Sequence, residues 1–427
     1  MSFLKKLMMM CLPFAIIASC SSSPQDEPAN PAPEPPPAQD STTPEPEPEP
    51  EPTALTSVEF AKSMGAGWNL GNQFDAYNNG VASETAWGNP KATPQLFRKL
   101  KEYGFSTVRI PVTWLGQTGD APDYTIKAEW LDRIAEVVGY AEDAGLKAII
   151  NIHHDGADGK NWLDPKGAAA DPAKHEATKA QLKAMWTQIA RKFADKGDFL
   201  IFESLNEIHD GGWGWGDNRK DGGKQYRVLN EWNQAFVDAV RAAGGSNATR
   251  FLSVPGYCTN PDLTISNFVK PTDSATDRIL VAVHFYDPNT FAIEAKYTEW
   301  GHTGTQGKKD TWGDEDNVRN TFKKLHDKFI ASGTGLYIGE WGATRRANEH
   351  DEKFRLYYIS YVNKAAAERG IPLIFWDNGS TATGREAFGI IRHDDGTLLD
   401  KGDAVIRNIM ESLDPAVTLQ SIYDKAP

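Results

Sequence analysis

The feature that most constrains the fold is an alternation of short apolar segments with amphipathic segments between residues 65 and 376. Eight segments have the length and composition of buried strands: 66–70, 106–110, 146–152, 199–205, 250–254, 280–286, 336–340 and 372–376. Between most of them, apolar residues recur at helical spacing, as in 94–103, 177–194, 226–242, 315–331 and 352–368. The connection over 260–277 has only a weak helical signal. This pattern predicts an α/β fold, a single (β/α)8 TIM barrel formed by residues 55–427.

Two of these strands deliver a glutamate at their end. The apolar run that starts at Phe199 leads into Asn206-Glu207, and the run that starts at Leu336 leads into Glu340. A carboxylate at the end of a buried strand is expensive to place unless it has a partner or a function. Because the carboxyl ends of barrel strands carry the active site, the pair predicts a two-carboxylate hydrolase. The alternative is two buried salt bridges with Arg or Lys.

Polar or aromatic residues also occupy most of the other strand ends. In chain order these ends are 69–72, Arg109, 153–155, 206–207, 284–286, Glu340 and 376–378. The run His153-His154-Asp155 contains residue types that bind zinc or iron, so a metal site is an alternative at this end. Adjacent histidines on a strand point to opposite sides, and the glutamates already account for a site. We therefore expect no metal ion and no other cofactor.

The chain has 13 tryptophans, and we expect them in two roles. Most should pack in the interior, as we predict for Trp130, Trp186 and Trp232. Trp213 and Trp215 instead follow Glu207 in a glycine-rich loop, where exposed aromatic rings favour stacking on sugar rings. Trp376 stands at a strand end, where functional residues of a barrel are expected.

The N-terminal residues predict a lipid-anchored protein. Residues 1–20 combine Lys5 and Lys6, a short apolar run and the ending Ile17-Ala18-Ser19-Cys20, which resembles a bacterial lipoprotein signal cleaved before Cys20. An ordinary secretory signal is the alternative. Residues 21–54 are rich in proline and glutamate and predict an extended, disordered linker. We expect anchoring in the outer membrane, facing outside the cell, with a periplasmic or secreted location as alternatives.

Charge and cysteine content exclude other classes of partner. The formal net charge is -13, and no cluster of Lys and Arg is present, which argues against nucleic acid. Cys11 is expected to leave with the signal and Cys20 to carry the lipid, so Cys258 has no partner for a disulfide or a thiolate metal site. We expect a monomer that contacts the membrane only through its lipid anchor.

Several motifs, in the same order along the chain, resemble glycoside hydrolase family five, the endoglucanase or cellulase family. They are Gly67-Trp68-Asn69-Leu70-Gly71-Asn72, Val108-Arg109-Ile110-Pro111, Asn206-Glu207, His284-Phe285-Tyr286, Ile338-Gly339-Glu340 and Trp376-Asp377-Asn378-Gly379. Trp87-Gly88-Asn89-Pro90 and the extension of the fourth motif to Asp287-Pro288 are most similar to subfamily four. The resemblance covers about residues 58–412. Ile208 departs from the proline that many members have after the acid/base glutamate, which could alter the loop that begins there.

The resemblance implies an endo-acting, retaining β-1,4-glucanase that hydrolyses plant cell-wall glucans such as cellulose, xyloglucan or mixed-linkage glucan. It implies Glu207 as acid/base and Glu340 as nucleophile. The matching support positions are Arg109, His153, Asn206, His284 and Tyr286. The expected substrate-binding residues are Asn72, His154, Trp213, Trp215 and Trp376. A β-mannanase or xylanase on the same barrel is an alternative, as is a non-catalytic surface glycan-binding lipoprotein.

Retaining chemistry needs two carboxyl groups about 5–5.5 Å apart, one ionised and one protonated. We expect Arg109 and the Tyr286 hydroxyl to hold Glu340 ionised, since a cation and a donated hydrogen bond both favour the charged form. The charge of Glu340 is expected to raise the pKa of Glu207. Arg109 as a purely structural ion pair is the alternative for that residue.

Overall fold

The computed structural model describes Glu34, residues 55–159 and residues 161–427. The predicted signal, the lipidation site Cys20 and, apart from Glu34, the predicted linker lie outside the described residues. By its internal contacts the chain divides after Thr53. The fold described below is that of the second unit, Ala54–Pro427.

A closed barrel of eight parallel strands forms the centre of this unit. The described residues form the strands β1 (Gly67–Leu70), β2 (Tyr77–Asn78), β3 (Val81–Ala82), β4 (Thr107–Ile110), β5 (Lys147–Asn151), β6 (Leu200–Glu203), β7 (Leu252–Pro255), β8 (Ile279–Phe285), β9 (Gly335–Trp341) and β10 (Leu373–Asp377). β2 and β3 form a separate antiparallel hairpin, and the barrel closes in the order β1-β10-β9-β8-β7-β6-β5-β4. The predicted (β/α)8 TIM barrel is therefore confirmed, with every predicted strand present.

Helices connect the strands along the outside of the barrel. They are α1 (Ser57–Ser63), α2 (Pro94–Glu102), α3 (Ala128–Asp143), α4 (Pro165–Ala170), α5 (Pro172–Lys192), α6 (Lys224–Ala242), α7 (Pro261–Asn267), α8 (Asn289–Ala292), α9 (Glu315–Lys328), α10 (Glu349–Ala367), α11 (Gly402–Ser412) and α12 (Leu419–Tyr423). Short 3-10 helices cover His154–Gly159, Asp217–Arg219, Gly245–Ala248, Tyr257–Thr259 and Ile330–Ser332. Among the described residues, no helix is long and apolar enough to span a membrane.

Local sequence sets where several helices begin. α2, α4, α5 and α7 each begin with a proline, which tolerates the first helical position because that N–H has no partner inside the helix. The side chain of Asn260 caps α7 by accepting from the Leu263 N–H. The connection over 260–277 has a weak helical pattern because its helix α7 ends at Asn267.

The apolar core has two parts. The larger part lies between the barrel and the surrounding helices, and it includes Trp130, Trp186 and Trp232, as predicted. The smaller part fills the barrel near α1, where Phe60 and Met64 pack with residues such as Phe251 and Ile374. In this way α1 contributes apolar side chains to the barrel interior, which leaves the carboxyl ends of the strands for polar residues.

Candidate active site

A cleft of about 1470 Å³ lies over the carboxyl ends of the barrel strands. Eleven of the residues predicted for the site line it: Asn72, His153, His154, Asn206, Glu207, Trp213, Trp215, His284, Tyr286, Glu340 and Trp376. Arg109 is fully buried and bonded to two of these residues, Asn206 and Glu340. The structure therefore brings together every predicted site residue of the barrel.

Glu207 and Glu340 approach each other across the barrel. A register shift between Val283 and His284 in β8 aligns His284 with Glu340 in β9. As a result, one carboxylate oxygen of each glutamate and a ring nitrogen of His284 all lie within 4.8 Å of one another. This separation is suited to a retaining hydrolase, because inverting enzymes place their carboxyl groups about 6.5–9.5 Å apart to admit a water molecule.

Arg109, which is buried in the barrel, contacts the carboxylate of Glu340. Its Nη1 donates to Oε1 of Glu340 at 2.7 Å, and its Nη2 donates to Oδ1 of Asn206 at 2.8 Å. The same guanidinium also forms a buried ion pair with Glu203, with Nη2 and Oε1 2.7 Å apart. Arg109 is therefore both a structural ion pair and a partner of Glu340, which the sequence presented as alternatives.

Glu340 has a second donor on its other oxygen. The Tyr286 hydroxyl donates to Oε2 of Glu340 at 3.3 Å, as expected from the sequence. Burial raises the pKa of Glu340, although the charges of His284 and Arg109 offset part of that rise. Burial and the neighbouring charges of Glu340 and Glu207 also raise the pKa of Tyr286 well above its ordinary value, so this phenol remains a donor.

His284 is the direct partner of Glu207. Its Nδ1 lies 2.7 Å from Oε1 of Glu207. Burial alone would raise the pKa of Glu207, but the hydrogen bond and charge of His284 lower it below its ordinary value. The expected rise in the pKa of Glu207 was therefore wrong, because the contact with His284 outweighs the effects that raise it.

His153 and His154 both line the cleft, which corrects the expectation that they point to opposite sides. Their ring centroids are 4.4 Å apart. The alternation of a strand does not apply, because β5 ends at Asn151 and a 3-10 helix begins at His154. His153 Nε2 contacts the amide nitrogen of Asn206 at 3.3 Å, and burial lowers the pKa of His153 well below its ordinary value.

The structure does not assemble His153, His154 and Asp155 as a set of metal ligands. The two carboxylate oxygens of Asp155 accept from the Trp114 N–H and the Trp162 Nε1–H, both at 2.8 Å. Asp75 takes its place, since its carboxylate lies within 4.8 Å of ring nitrogens of both histidines. Glu207, His284 and Glu340 form a second set of this kind, but these three residues are also the glutamate pair and its hydrogen-bond partner.

Sequence reasoning missed three buried residues that organise the site. Glu203 and Asn151 form one group, in which the Asn151 amide donates to Glu203 Oε1 at 2.9 Å and contacts His153 Nδ1 at 3.1 Å. Asn69 accepts from Arg109 Nη1 at 3.1 Å. Glu203 lies within the same apolar run as Glu207, so its presence in a buried strand was a signal that could have been used.

The fifth barrel strand, β7, also contributes to the site. It was the one strand end without predicted functional residues, but the chain that follows it brings Cys258 and Thr259 close to Glu207. The Thr259 hydroxyl lies 3.4 Å from Oε1 of Glu207. Both residues have positive φ, 55° and 47°, a local conformation that no sequence pattern indicated.

Ile208 occupies the position where many members of the resembled family have proline. Its N–H donates to the Asn206 carbonyl at 3.1 Å, a bond that proline could not form. Its carbonyl accepts from the Cys258 N–H at 2.9 Å. The departure therefore adds a backbone bond at Glu207 rather than removing support from it.

Aromatic rings line the cleft that holds the two glutamates. Trp213 is 55% exposed and Trp215 is 77% exposed, in agreement with the predicted surface loop. Trp376 lies parallel to His153, and a Cβ at Gly71 would come within 2.8 Å of its ring, so glycine leaves room for this indole. The sequence predicted no substrate-binding role for Trp87 or Trp312, which also line the cleft.

A closed parallel barrel with two opposed carboxylates in an aromatic cleft defines a hydrolase of glycosidic bonds. Comparison with known proteins identifies the family. The profile described as cellulase (glycosyl hydrolase family 5) matches residues 71–382, and the chain belongs to this family.

Individual relatives make the class more specific. Endoglucanase A of Paenibacillus barcinonensis is 37% identical over 377 residues, covering 84% of this chain and 91% of that protein. The GH5-4 broad specificity endoglucanase from Bacteroides salanitronis is 57% identical, with a TM-score of 0.83 over 85% of this chain and 97% of that one. The Bacteroides ovatus GH5 xyloglucanase in complex with a XXXG heptasaccharide is 34% identical, with a TM-score of 0.76 over 84% and 77%. The protein is accordingly a glycosyl hydrolase of the endo-β-1,4-glucanase type, and not a non-catalytic glycan-binding protein.

Proposed function

We propose that the protein hydrolyses β-1,4-glucans of plant cell walls by double displacement, with retention of the anomeric configuration. The observation that carries this proposal is the approach of Glu207 and Glu340, whose carboxylate oxygens lie within 4.8 Å. That spacing leaves room for the anomeric carbon between a nucleophile and an acid, but not for an additional water molecule on the opposite face.

Glu340 acts as the nucleophile. Its carboxylate attacks the anomeric carbon and forms a glycosyl ester while the bond to the leaving glycosidic oxygen breaks. Arg109 and Tyr286 each donate to one of its oxygens, so the ionised carboxylate is held with a fixed orientation. Because burial raises its pKa, Glu340 also keeps enough basicity to attack.

Glu207 acts as the acid and then as the base. It protonates the leaving oxygen, and its carboxyl group is oriented by the 2.7 Å contact between its Oε1 and Nδ1 of His284. In the second step, Glu207 accepts a proton from water, and the water oxygen attacks the anomeric carbon. The ester bond breaks, Glu340 is regenerated, and the released sugar has the β-configuration.

Asn206 orients the sugar in the transition state. Its Oδ1 accepts from Arg109 at 2.8 Å, which turns its amide nitrogen toward His153 and the cleft. This amide can donate to the 2-hydroxyl of the sugar, an interaction that strengthens as charge develops on the ring. Trp376 supplies the apolar floor beneath the same sugar.

For the substrate, we propose an undecorated or xylosyl-decorated β-glucan, bound without a cofactor. Relatives named as a broad specificity endoglucanase and as a xyloglucanase support this choice. Another solved relative is a lichenase in complex with cellotetraose, which supports mixed-linkage glucan as well. Hydrolysis of purified cellulose, xyloglucan, mixed-linkage glucan, mannan and xylan tests the choice, and a preference for mannan or xylan would replace it.

We also propose that the enzyme is a monomer tethered by a lipid on Cys20 to the outer membrane, facing outside the cell. The support is the ending Ile17-Ala18-Ser19-Cys20 and the proline- and glutamate-rich residues that follow it. A tether of this composition would suit an enzyme whose substrate is a large extracellular polymer.

Replacement of each glutamate by alanine tests the assigned roles. Glu340→Ala should abolish turnover of both polysaccharide and activated aryl glycosides, because no ester can form. Glu207→Ala should strongly reduce turnover of the polymer, whose leaving group needs a proton. On an aryl glycoside with a good leaving group it should spare the first step, with an early burst and acceleration by azide.

The stereochemistry of the product provides an independent measurement. Proton NMR during early hydrolysis should show the β-anomer first, with the α-anomer growing only by mutarotation. An initial α-anomer would mean an inverting enzyme, and the role proposed for Glu340 would be wrong.

A further inference from the structure

Glu203 is a buried carboxylate beneath the glutamate pair that the double displacement does not use. It is 1% exposed and ends strand β6, four residues before Glu207. Tyr337 donates its hydroxyl hydrogen to Oε2 of Glu203 at 2.5 Å, and Asn151 donates to Oε1 at 2.9 Å. A buried carboxylate with so many donors is held ionised and fixed in place.

The cation that balances Glu203 is the same Arg109 that contacts Glu340. Arg109 Nε lies 3.2 Å from each oxygen of Glu203, and Nη2 lies 2.7 Å from Oε1. Nη1 donates one hydrogen bond to Glu340 and one to Asn69, and Nη2 donates its second hydrogen to Asn206. All five N–H groups of the guanidinium thus have acceptors, and two carboxylates share one positive charge.

We propose that Glu203 is a positioning residue that orients the Arg109 guanidinium and limits how strongly its charge stabilises the ionised Glu340. The proposal rests on the role of Glu340 as nucleophile. An arginine paired with Glu340 alone would stabilise the carboxylate before attack and make it a weaker nucleophile. Sharing the charge with Glu203 leaves Glu340 ionised but reactive.

The ionisation of the two carboxylates is consistent with this division of charge. Burial alone would raise the pKa of Glu203, but the charge and hydrogen bonds of Arg109, with the Tyr337 hydroxyl, lower it. Burial raises the pKa of Glu340, and Arg109 does not reverse that rise. The geometry agrees with this difference, because Arg109 faces Glu203 with both Nε and Nη2 and faces Glu340 with Nη1 alone.

Glu203→Gln is the direct test, because it removes the charge and keeps the shape. The new amide can take the place of Oε2, where the Tyr337 hydroxyl would accept from it and donate to Ser253 Oγ, 2.9 Å away. In this variant, Glu340 is the remaining carboxylate that pairs with Arg109, so the pKa of Glu340 should fall. The acid limb of the pH profile, which is the fall of kcat/KM at low pH as Glu340 becomes protonated, should therefore move down by about one pH unit. The kcat on polysaccharide should fall about tenfold, because a less basic carboxylate attacks more slowly.

Five charged or titratable groups face Glu340. They are Arg109, His284 and Tyr286, which contact its carboxylate, Glu207 across the cleft, and His153, whose Nε2 is 3.9 Å from Oε1. Of these, Arg109 is the group that also contacts Glu203, so a shift of the acid limb in the Glu203 variant reports the lost charge as it acts through Arg109. An acid limb at the position of the unmodified enzyme would overturn the proposal.

Asp273→Asn provides a matched control for the loss of a buried ion pair. Asp273 accepts from Nε and Nη2 of Arg241, both at 2.7 Å, and both side chains are less than one tenth exposed. Arg241 belongs to the outer helix α6, and neither residue lines the cleft. We expect a lower melting temperature and an unchanged pH profile. A downward shift here as well would assign the effect to general destabilisation.

Tyr337→Phe keeps the proposal testable if the glutamine variant does not fold. This substitution removes a neutral hydrogen-bond donor from Glu203. Arg109 should then stabilise the charge of Glu203 more strongly and the charge of Glu340 less strongly. The acid limb should move upward, opposite to the direction expected for Glu203→Gln. A downward shift, or none, would contradict the charge-sharing role.

Failure of this inference is distinguishable from failure of the proposed function. If Glu340 is not the nucleophile, Glu340→Ala keeps activity on aryl glycosides or the first product is the α-anomer. If only the role of Glu203 is wrong, Glu340→Ala is inactive and retention holds, but the acid limb of Glu203→Gln stays in place.

Discussion

Replacing both Trp213 and Trp215 by alanine should weaken binding of the polymer with little effect on the chemical step. An indole presents up to about 250 Å², and the exposed fractions of the two residues are 55% and 77%. His209 lies against Trp213 and Arg219 lies over Trp215, with centres 4.3 and 4.4 Å away, so each ring offers one face to a sugar. Covering those faces would remove about 165 Å² from water, an upper limit of about 4 kcal/mol at about 25 cal/mol/Å².

The entropy lost when the loop and the sugar become ordered offsets part of this binding free energy. We therefore expect the double variant to bind the polymer about 1–3 kcal/mol more weakly. KM on polysaccharide should then rise about 5- to 150-fold while kcat stays nearly constant, because binding is lost equally in the ground and transition states. Val269→Ala is a suitable control, since Val269 is 63% exposed and does not line the cleft. If KM of the double variant matches that of the control, the two rings do not contact substrate.

Two further predictions concern the anchor and the proposed lack of a metal. Cys20→Ala should release the protein from the membrane fraction, because no acyl chain can be attached, and unchanged membrane association would refute the lipoprotein assignment. Activity should persist in excess chelator, because the two carboxylates, with Arg109 and Tyr286, supply the charge and proton transfer that the reaction needs. Loss of activity on chelation, restored by a divalent metal, would point instead to Asp75, His153 and His154 or to the glutamates with His284.

The barrel could be predicted from the sequence because its strands are short apolar runs separated by helical patterns. The boundaries were close: the predicted strand 336–340 is observed as Gly335–Trp341, and 372–376 as Leu373–Asp377. Residues at the strand ends could also be placed together, because the carboxyl ends of parallel strands in a closed barrel meet on one side. These two steps use only periodicity and topology.

The remaining features depended on where each strand stops and how side chains pair. His153 and His154 share one face because β5 ends two residues before them. The lowered pKa of Glu207 follows from its contact with His284, which in turn depends on a register shift in β8. Thr259 reaches Glu207 through left-handed backbone conformations after β7. None of these geometries has a periodic signature in the sequence.

Arg109 shows why one residue could not be assigned a single role from its position alone. A strand-end arginine next to two glutamate-bearing strands can form a structural pair or support catalysis, and the structure combines both through five bonded N–H groups. Glu203 and Glu207 lie on the same segment, so the residues that follow β6 place Glu207, while the end of β6 contacts the arginine that also contacts Glu340. A shift of the segment that contains Glu203 and Glu207 would therefore move Glu207 and, through Arg109, change the surroundings of Glu340. For this reason, the electrostatics of Glu340 in β9 depend on a strand on the other side of the barrel axis.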